Sequence, residues 1–321
     1  MIGTGYGSDV HIPAFLKTEG YSITGICDSG TGSAKKVKER FNLNCDIYKN
    51  AMDLIASKNT DLVDIVSPPS THSNFLKEAL KHEKNVICEK PCGLSFNEVK
   101  DIDFENKNLI CVIGYQYRFE RLMRILKHHC DSNFLGEINR IDVNWHFKIK
   151  KKKCWKQNNN NGGGIVDDVL CHVIDYLLLF FGRKILNPQR LNFEGFIKNQ
   201  NCNIIFTYND SILSKVIIDR DSTFFPSQQI LINGKKKNAE LIYYSPFNYF
   251  SKKLEIFKNQ KLIKIYTPNI NNTFNLSDDR IESFSHLLKK FIKKKKRYKL
   301  CCLEDGKKIR MILDEINKKL K

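Results

Sequence analysis

The sequence reads GTGYGS over residues 3–8, a glycine-rich turn that opens the first predicted helix. Glycines let the backbone turn tightly and approach a pyrophosphate, which then lies on the amides of a helix N-terminus. Ser8 stands where the usual fingerprint has its third glycine. Alone, such a turn is also compatible with an ordinary flexible loop. Between a strand and a helix, it predicts dinucleotide contacts from Gly3, Thr4, Gly5, Tyr6 and Gly7.

A carboxylate follows this turn about two dozen residues later, where Asp28 closes the next predicted strand, residues 21–27 (YSITGIC). A carboxylate at this point accepts hydrogen bonds from both ribose hydroxyls and repels a 2′-phosphate. Asp28 therefore favours NAD over NADP, and NAD is the predicted cofactor.

The first strand of the predicted domain is very short, because only Met1 and Ile2 precede Gly3. Such a strand normally has about five or six residues and lies in the middle of the sheet. We therefore expect it to be nearly absent. Two explanations stay open here, a true start upstream of Met1 or a domain with a damaged centre.

The first third of the chain alternates short β-rich runs with helical stretches. Helices are predicted at residues 33–41 and 70–82, the second with Ser70 and Thr71 as N-caps. Further strands are predicted at residues 62–67 (LVDIVS), 85–88 (NVIC) and 109–114 (LICVIG). This alternation predicts a parallel sheet with βαβ crossovers.

The pattern changes after about residue 115. A helix near residues 121–129 leads to a predicted strand at 138–147 (INRIDVNWHF), and a polar, glycine-rich loop at 157–164 opens an apolar helix. From residue 191 to 265 the chain is a series of strand-like runs, with turns such as Asn209-Asp210 and Asn233-Gly234. These features predict a mainly antiparallel sheet. The last stretch, residues 279–321, is amphipathic, basic and predicted to be helical.

The charge of the chain is strongly positive, with 53 Lys and Arg against 35 Asp and Glu. The lysines lie in separate runs that are not interleaved with the aromatic platforms of single-strand binders. We therefore predict solvated surface charge and no nucleic-acid partner. A basic nucleic-acid-binding protein stays open as an alternative, and it would bind in a strongly salt-dependent way.

The 11 cysteines include no C-x-x-C pair, so neither a metal site nor a disulfide framework is expected. Scattered cysteines of this kind are usually small buried residues in a reducing compartment. The most apolar segment, residues 169–182, is shorter than the roughly 20 residues that a membrane span needs. With no signal-peptide pattern at its start, the chain is predicted to be cytoplasmic and to have no membrane partner.

A longer motif lies at residues 67–91, SPPSTHSNFLKEALKHEKNVICEKP. Other motifs lie around it in order: GTGYGSDVHIPAF at 3–15, YQYRF at 115–119, Trp155-Lys156 ahead of GGG at 162–164, and Asp168-x-x-x-His172. Together they resemble the glucose–fructose oxidoreductase/inositol dehydrogenase (Gfo/Idh/MocA) family, although Glu120 stands where the family often has Asn followed by Pro. The resemblance covers residues 1 to about 182.

Lys90 follows a predicted strand and so lies at the carboxyl edge of a parallel sheet, where ligands bind. A lysine there can hydrogen-bond the reacting oxygen and stabilise negative charge on it. A lone lysine is more often a solvated surface charge, and it is the resemblance that favours a catalytic Lys90. The resemblance also implies that Glu89 contacts the cofactor or positions Lys90, and that Pro68, His72 and Lys90 itself contact the cofactor.

Asp168 and His172 are four residues apart, so a helix places both on one face. Histidine titrates near neutrality, which suits proton transfer from an alcohol as hydride leaves. A histidine in an apolar helix is more often a core residue, and Asp175 is a candidate hydrogen-bond partner for it. The resemblance favours His172 as acid/base and Asp168 as the orienting group, with Asp167 structural.

The predicted fold class is α/β. A Rossmann NAD-binding domain over residues 1–114 precedes an α/β domain over residues 115–321, whose mainly antiparallel sheet is open on one face. The resemblance implies that the second domain binds substrate and mediates assembly into a homo-oligomer, a dimer or tetramer.

The predicted reaction is reversible hydride transfer between the nicotinamide and a carbinol carbon of a sugar, cyclitol or nucleotide-linked sugar. The alternative is a non-catalytic dinucleotide-binding sensor or regulator of the same fold, which the short first strand favours and which Lys90, Asp168 and His172 oppose.

Overall fold

A computed structural model describes residues 1–104, 108–148, 162–187, 190–198, 200–222, 227–244, 252–268, 278–293 and 300–320. The chain divides into two compact units. Unit 1 comprises Met1–Gln116, Trp155–Gly163 and Phe284–Met311, and unit 2 comprises Tyr117–Cys154, Gly164–Ser283 and Ile312–Lys321. The predicted boundary near residue 114 lies close to the first point where the chain leaves unit 1, and two later segments return to that unit.

Unit 1 contains the parallel sheet. Its strands are β1 (Gly25–Cys27), β2 (Asp46–Tyr48), β3 (Leu62–Ile65), β4 (Asn85–Cys88) and β5 (Cys111–Ile113). β1 pairs with β2, and β4 lies between β3 and β5, all in parallel. Val112 also bridges Cys302 in antiparallel orientation. The predicted parallel sheet is confirmed, with strands shorter than the apolar runs in the sequence.

The first three residues take the place of the central strand. Ile2 forms single parallel bridges to Cys27 of β1 and to Ile65 of β3. The Ile2 amide donates to the Asp64 carbonyl at 2.8 Å, and the Cys27 amide donates to the Met1 carbonyl at 3.0 Å. The expectation of a nearly absent first strand is confirmed. These few hydrogen bonds join β2-β1 and β3-β4-β5 into one layer.

The helices of unit 1 follow the strands in the order that a βαβ fold requires. They are α1 (Ile12–Lys17), α2 (Ser33–Arg40), α3 (Ala51–Ala56), α4 (His72–Lys81) and α5 (Phe96–Val99). The helix predicted at residues 70–82 begins with a 3₁₀ turn, Pro69–Thr71, before α4. Thr71 does not cap α4, because its hydroxyl donates to the Pro68 carbonyl at 2.8 Å.

Unit 2 contains an eight-stranded sheet in the order β13-β12-β11-β10-β6-β9-β8-β7. The β6–β9 pair is parallel and every other pair is antiparallel, so the mainly antiparallel sheet is confirmed. Its strands are β6 (Ile138–His146), β7 (Leu191–Lys198), β8 (Asn201–Tyr208), β9 (Ser211–Asp219), β10 (Gln228–Gly234), β11 (Asn238–Tyr243), β12 (Lys252–Lys258) and β13 (Lys261–Tyr266).

The tight turns of this sheet are only partly those predicted. Asn209 (φ 48°) and Asp210 (φ 62°) join β8 to β9 in the left-handed conformation that a two-residue hairpin turn requires. Asn259 and Gln260 repeat this geometry between β12 and β13. Gly234 instead ends β10, and the turn follows it at residues 235–237.

One face of the sheet is open, as predicted. Phe196, Asn203 and Ile217 are cross-strand neighbours on β7, β8 and β9, and all three are exposed. Their chain neighbours Cys202 and Ile218 also face each other across the sheet and are buried. Because strand side chains alternate between faces, one face packs into the core and the other carries exposed apolar side chains.

The remaining helices are α6 (Arg121–Asp131), α7 (Cys171–Phe181), α8 (Asp279–Ile292) and α9 (Leu303–Leu320). A π-helical turn, Val166–Leu170, leads into α7, and Gly182 with φ 78° ends it. Nowhere in the described ranges is a helix long and apolar enough to cross a membrane.

Candidate active site

The glycine turn of unit 1 has the geometry that its sequence requires. Gly3 has φ +99°, and a Cβ there would lie 2.7 Å from the backbone of Val66 and Ser67. Any larger residue would therefore push apart the junction between residues 1–3 and β3. For Gly5, no described heavy atom lies within 4 Å of the position where a Cβ would be. Space for a ligand therefore lies against the backbone of the turn.

A hydrogen-bonded chain links this turn to Asp28. The Thr4 and Ser33 hydroxyls lie 2.7 Å apart, and the Ser33 hydroxyl donates to Asp28 Oδ2 at 3.0 Å. The amides of Ala34 and Gly30 also donate to the Asp28 carboxylate, each at 2.7 Å. These backbone hydrogen bonds, above all the one from Ala34, lower the pKa of Asp28. The carboxylate is ionised and held at the carboxyl end of β1.

These features fit a dinucleotide. A helix begins at the glycine turn, the backbone beside Gly5 is open, and Asp28 offers an ionised acceptor at the position where a ribose is bound in Rossmann folds. Tyr6, also in the turn, accepts a short hydrogen bond from the Gln116 amide through its hydroxyl.

Pro68 and His72 lie just after β3. Pro68 is exposed and precedes the 3₁₀ turn. His72 is buried, with Nδ1 2.7 Å from the Pro91 carbonyl and Nε2 2.8 Å from the Ser67 carbonyl. Both ring nitrogens therefore join the loops that follow β3 and β4. A contact between His72 and a cofactor stays a prediction, because these polar atoms have protein partners.

Three charged groups, Asp64, His11 and Glu89, form a triad that ends next to Lys90; the His11 and Asp64 side chains are buried and the Glu89 side chain is 12% exposed. His11 Nδ1 is 3.0 Å from Asp64 Oδ2, and its Nε2 is 3.2 Å from Glu89 Oε1. Burial opposes charge on the imidazole, but the attraction and hydrogen bonds of the two carboxylates prevail and raise the pKa of His11 to about 9. The His11 ring also lies 3.8 Å from the Phe284 ring, centroid to centroid.

Glu89 connects this triad to Lys90. Burial opposes ionisation of Glu89, yet the hydrogen bond and charge of His11 keep its pKa below the usual value. The second carboxylate oxygen accepts from the Lys90 amide at 3.2 Å. Lys90 is half-buried and directly follows Glu89 after the end of β4. The triad thus fixes the backbone from which the Lys90 side chain extends.

The triad predicts a pH dependence of stability. The pKa of His11 in the folded chain, about 9, exceeds the ordinary value of about 6.5. The charged imidazole therefore adds to the free energy of unfolding, and this stabilisation is fully present below about pH 6.5. It is lost as the pH rises through 9, and its size is on the order of 3 kcal/mol. We expect the urea midpoint to fall between pH 6 and pH 9.5.

The comparison variant is His11→Asn, in which this fall should be much smaller. His82→Asn is the matched control, because His82 is an exposed histidine of the same unit, and it should behave like the parent. An equal fall in the parent and in His11→Asn would show that other groups cause the pH dependence.

Asp168 and His172 lie in unit 2, where the π-helical turn meets α7. Arg220 Nη2 donates to Asp168 Oδ2 at 3.3 Å, and the Arg220 side chain is 1% exposed. His172 is 6% exposed. The Tyr117 ring lies 4.7 Å from the His172 ring, and the Trp145 ring lies 6.0 Å from it.

Asp175, the candidate partner for His172, pairs with Arg118. Both oxygens of its carboxylate lie 2.8 Å from Arg118 Nε, and both side chains are buried. Asp167 is also buried, and its carbonyl accepts a hydrogen bond from the Cys171 thiol at 3.0 Å. Trp155 and Lys156 lie outside the described residues.

Unit 1 therefore holds the predicted cofactor residues and Lys90, and unit 2 holds Asp168 and His172. His11, Asp64 and Arg220 were not among the site residues predicted from the sequence. Asp64 alone gave a signal, because an acid inside the apolar run LVDIVS needs a buried partner. The described residues contain no group of three or more His, Cys, Asp or Glu side chains suited to a metal ion.

Two family models match the chain. Residues 1–117 match the model described as an oxidoreductase family with an NAD-binding Rossmann fold. Residues 123–240 match the model described as the GFO/IDH/MocA C-terminal domain. Between them they cover well over half of the chain.

Curated relatives are similar over part of the chain. An inositol 2-dehydrogenase of Azotobacter vinelandii is 31% identical over 142 residues, which are 43% of this chain and 42% of the relative. An uncharacterised oxidoreductase of Schizosaccharomyces pombe is 29% identical over 188 residues, 57% of this chain and 51% of the relative. The chain spans about half the length of the curated relatives that it matches.

Solved structures share the fold over the whole chain. A levoglucosan dehydrogenase in complex with NADH and levoglucosan has a TM-score of 0.81 at 15% identity, covering 99% of this chain and 95% of the other. KijD10, a 3-ketoreductase from Actinomadura kijaniata in complex with NADP and TDP-benzene, has a TM-score of 0.78 at 16% identity, covering 100% of this chain and 96% of the other.

Proposed function

The chain belongs to the Gfo/Idh/MocA family of oxidoreductases, and from this premise we propose that it transfers a hydride between a nicotinamide cofactor and a carbinol carbon of a sugar-like substrate. One observation carries the proposal. The glycine turn has open space against Gly5 and is linked by hydrogen bonds to an ionised Asp28.

The cofactor would be held by unit 1. The amides of the glycine turn would bind its pyrophosphate, and Asp28 would accept hydrogen bonds from the ribose hydroxyls. Because the pKa of Asp28 is lowered, its negative charge would repel a 2′-phosphate, so NAD is the preferred form. Solved structures with this fold have NADH in one case and NADP in another.

The bound nicotinamide supplies the carbon that gives or takes the hydride. Lys90 would donate a hydrogen bond to the reacting oxygen of the substrate and stabilise negative charge there. The triad of His11, Asp64 and Glu89 holds the backbone of Lys90 and so fixes where its side chain starts.

His172 would move the proton of the substrate hydroxyl, taking it in oxidation and returning it in reduction. Asp168 would orient the substrate or the imidazole, and Arg220 holds the Asp168 carboxylate in place. The substrate class we propose is a sugar, cyclitol or nucleotide-linked sugar. One similar protein is named inositol 2-dehydrogenase, and another binds levoglucosan.

We also propose a homo-oligomer assembled through the open sheet face of unit 2. The exposed apolar side chains Phe196 (50% exposed) and Ile217 (40% exposed) lie in one row on that face. Sedimentation velocity that shows only monomer at micromolar concentration would reject this assembly.

The experiment for the proposed function is calorimetric titration with NADH and NADPH, followed by a turnover screen over sugars and cyclitols. We expect NADH to bind at least tenfold more tightly than NADPH, and Asp28→Ser to remove most of that preference, because the repelling charge is gone.

Glu39→Gln is the matched control, an exposed acid on α2 of the same unit, and it should keep the parent's preference. Binding without turnover on any substrate would favour the non-catalytic sensor. A folded chain that binds neither dinucleotide would refute both readings.

A further inference from the structure

Two aromatic rings lie against His172 in unit 2, and a third extends from them. The Tyr117 ring is 4.7 Å from the imidazole and tilted by 49°, and the Trp145 ring is 6.0 Å away and tilted by 42°. Tyr117 and Trp145 meet edge to face at 6.1 Å, and the Phe147 ring lies 6.4 Å beyond Trp145. The rings form a continuous apolar surface next to the proposed acid/base, which we name the aromatic wall.

The aromatic wall extends the buried face of β6 toward the end of the strand, where the side chains on that face become partly exposed. Ile141 and Val143 lie on this face of β6 and are fully buried. Trp145 and Phe147 continue the same alternation, but they and Tyr117 are only half-buried. Two aromatic side chains in the core of unit 2, Tyr176 and Phe206, are by contrast buried to 2% exposure or less. The aromatic wall therefore has ring surface that is accessible to a ligand.

Polar groups flank the aromatic wall. The Arg220 guanidinium lies over the Phe147 ring at 5.9 Å and donates to Asp168. A ligand bound next to His172 would therefore meet the aromatic rings on one side and the charged pair of Arg220 and Asp168 on another. Ligand sites combine largely apolar and aromatic linings with a few placed polar groups. A ring whose C–H bonds cover one face and whose hydroxyls lie around its edge complements this arrangement.

We propose that Tyr117, Trp145 and Phe147 stack against the C–H face of a six-membered sugar or cyclitol ring, and that Trp145 selects such closed rings over open-chain polyols. The proposal rests on the proposed function and narrows its substrate class. An open-chain polyol has the same hydroxyl chemistry, but it presents no rigid apolar face, so it would lose the stacking and pay more conformational entropy on binding.

The chain's two tryptophans make a direct test possible, because Trp155→Phe leaves Trp145 as the only indole. The probes are D-glucose, levoglucosan and myo-inositol as closed rings and D-glucitol as the open chain, each titrated with NADH present. We expect at least one closed ring to change the Trp145 fluorescence saturably, and D-glucitol to bind at least tenfold more weakly.

The variants Trp145→Phe and Trp145→Ala separate stacking from folding. For the ring that responds, we expect Trp145→Phe to stay within about threefold of the parent Kd by calorimetry and Trp145→Ala to be roughly tenfold weaker. Tyr244→Ala, which removes an exposed aromatic side chain elsewhere in unit 2, should have no effect. NADH affinity should stay at the parent value in all of them, which shows that unit 1 is folded, and an unchanged far-UV circular dichroism spectrum shows that the sheet of unit 2 is intact.

The outcomes distinguish this inference from the proposed function. If the chain turns over a sugar with the nicotinamide cofactor, but that sugar does not change the Trp145 fluorescence and keeps the parent Kd in Trp145→Ala, the stacking proposal is wrong and the proposed oxidoreductase activity stands. If a closed ring binds and changes the Trp145 fluorescence but is not turned over, the stacking proposal stands and the proposed oxidoreductase activity is wrong. Equal binding of D-glucitol and the rings, or no binding of any ring to the NADH-loaded chain, would overturn the wall.

Discussion

The Lys90→Met variant is expected to lower kcat by about 10²–10³-fold, the loss that follows removal of one hydrogen-bond donor to a reacting oxygen. Methionine keeps much of the length of the side chain but has no charge and no donor. Lys90 is half-buried just after β4, and its amide is bonded to Glu89. The measurement is steady-state turnover of whichever sugar the parent oxidises, together with NADH affinity by calorimetry.

The matched control for Lys90 is Lys77→Met. Lys77 is an exposed lysine on α4 of the same unit, so it should leave both kcat and NADH affinity at the parent values. A Lys90→Met variant with kcat within threefold of the parent would contradict a role for Lys90 at the reacting oxygen. Loss of NADH affinity with unchanged kcat would leave Lys90 with only its predicted cofactor contact.

The architecture of unit 1 follows largely from local sequence patterns. Strand and helix periods alternate along the first third of the chain, and each element is short enough for its period to be visible. The glycine turn and Asp28 were also evident, because both depend on spacing within one βα unit. The near-absent first strand was predicted from a count of the residues before Gly3. The bridges from Ile2 to both β1 and β3 were not predicted.

The charged triad was not predictable from such patterns. His11 is 53 residues from Asp64 and 78 from Glu89 in sequence, and only the parallel order of the strands brings them together. His11 is the last residue of a helical turn, Gly7–His11, and gives no local sign that two carboxylates will raise its pKa to about 9. The same holds for Asp175, whose neighbour His172 was a candidate partner, while the structure pairs it with Arg118.

Unit 2 shows a second limit of sequence reading. The hairpin at Asn209-Asp210 was predicted because its residues favour the left-handed conformation. The β6–β9 pair joins strands that α7, β7 and β8 separate in sequence, and its parallel register depends on the crossover rather than on the strands themselves. The edge-to-face contact between Tyr117 and Trp145 likewise joins residues that are distant in sequence.

Replacing His172 by asparagine is expected to lower kcat by about 10²–10⁴-fold, the usual contribution of a positioned general acid or base. Asparagine keeps a polar side chain of similar reach, but it does not take up a proton. His172 is 6% exposed beside Tyr117, so a substitution that preserves volume and polarity limits the disturbance of packing. The measurement is kcat across pH 5 to 9, where the variant should lose the dependence that a titrating histidine gives.

Added imidazole distinguishes loss of proton transfer from structural damage in His172→Asn, because a small diffusible base can replace the missing proton carrier but does not restore a damaged fold. We expect imidazole to restore part of the activity of His172→Asn and to leave the Lys90→Met variant unchanged. His128→Asn, an exposed histidine on α6 of the same unit, should match the parent. If His172→Asn keeps the kcat and the pH profile of the parent, then proton transfer does not pass through this residue. The buried imidazole would then be a core residue that Tyr117 packs against.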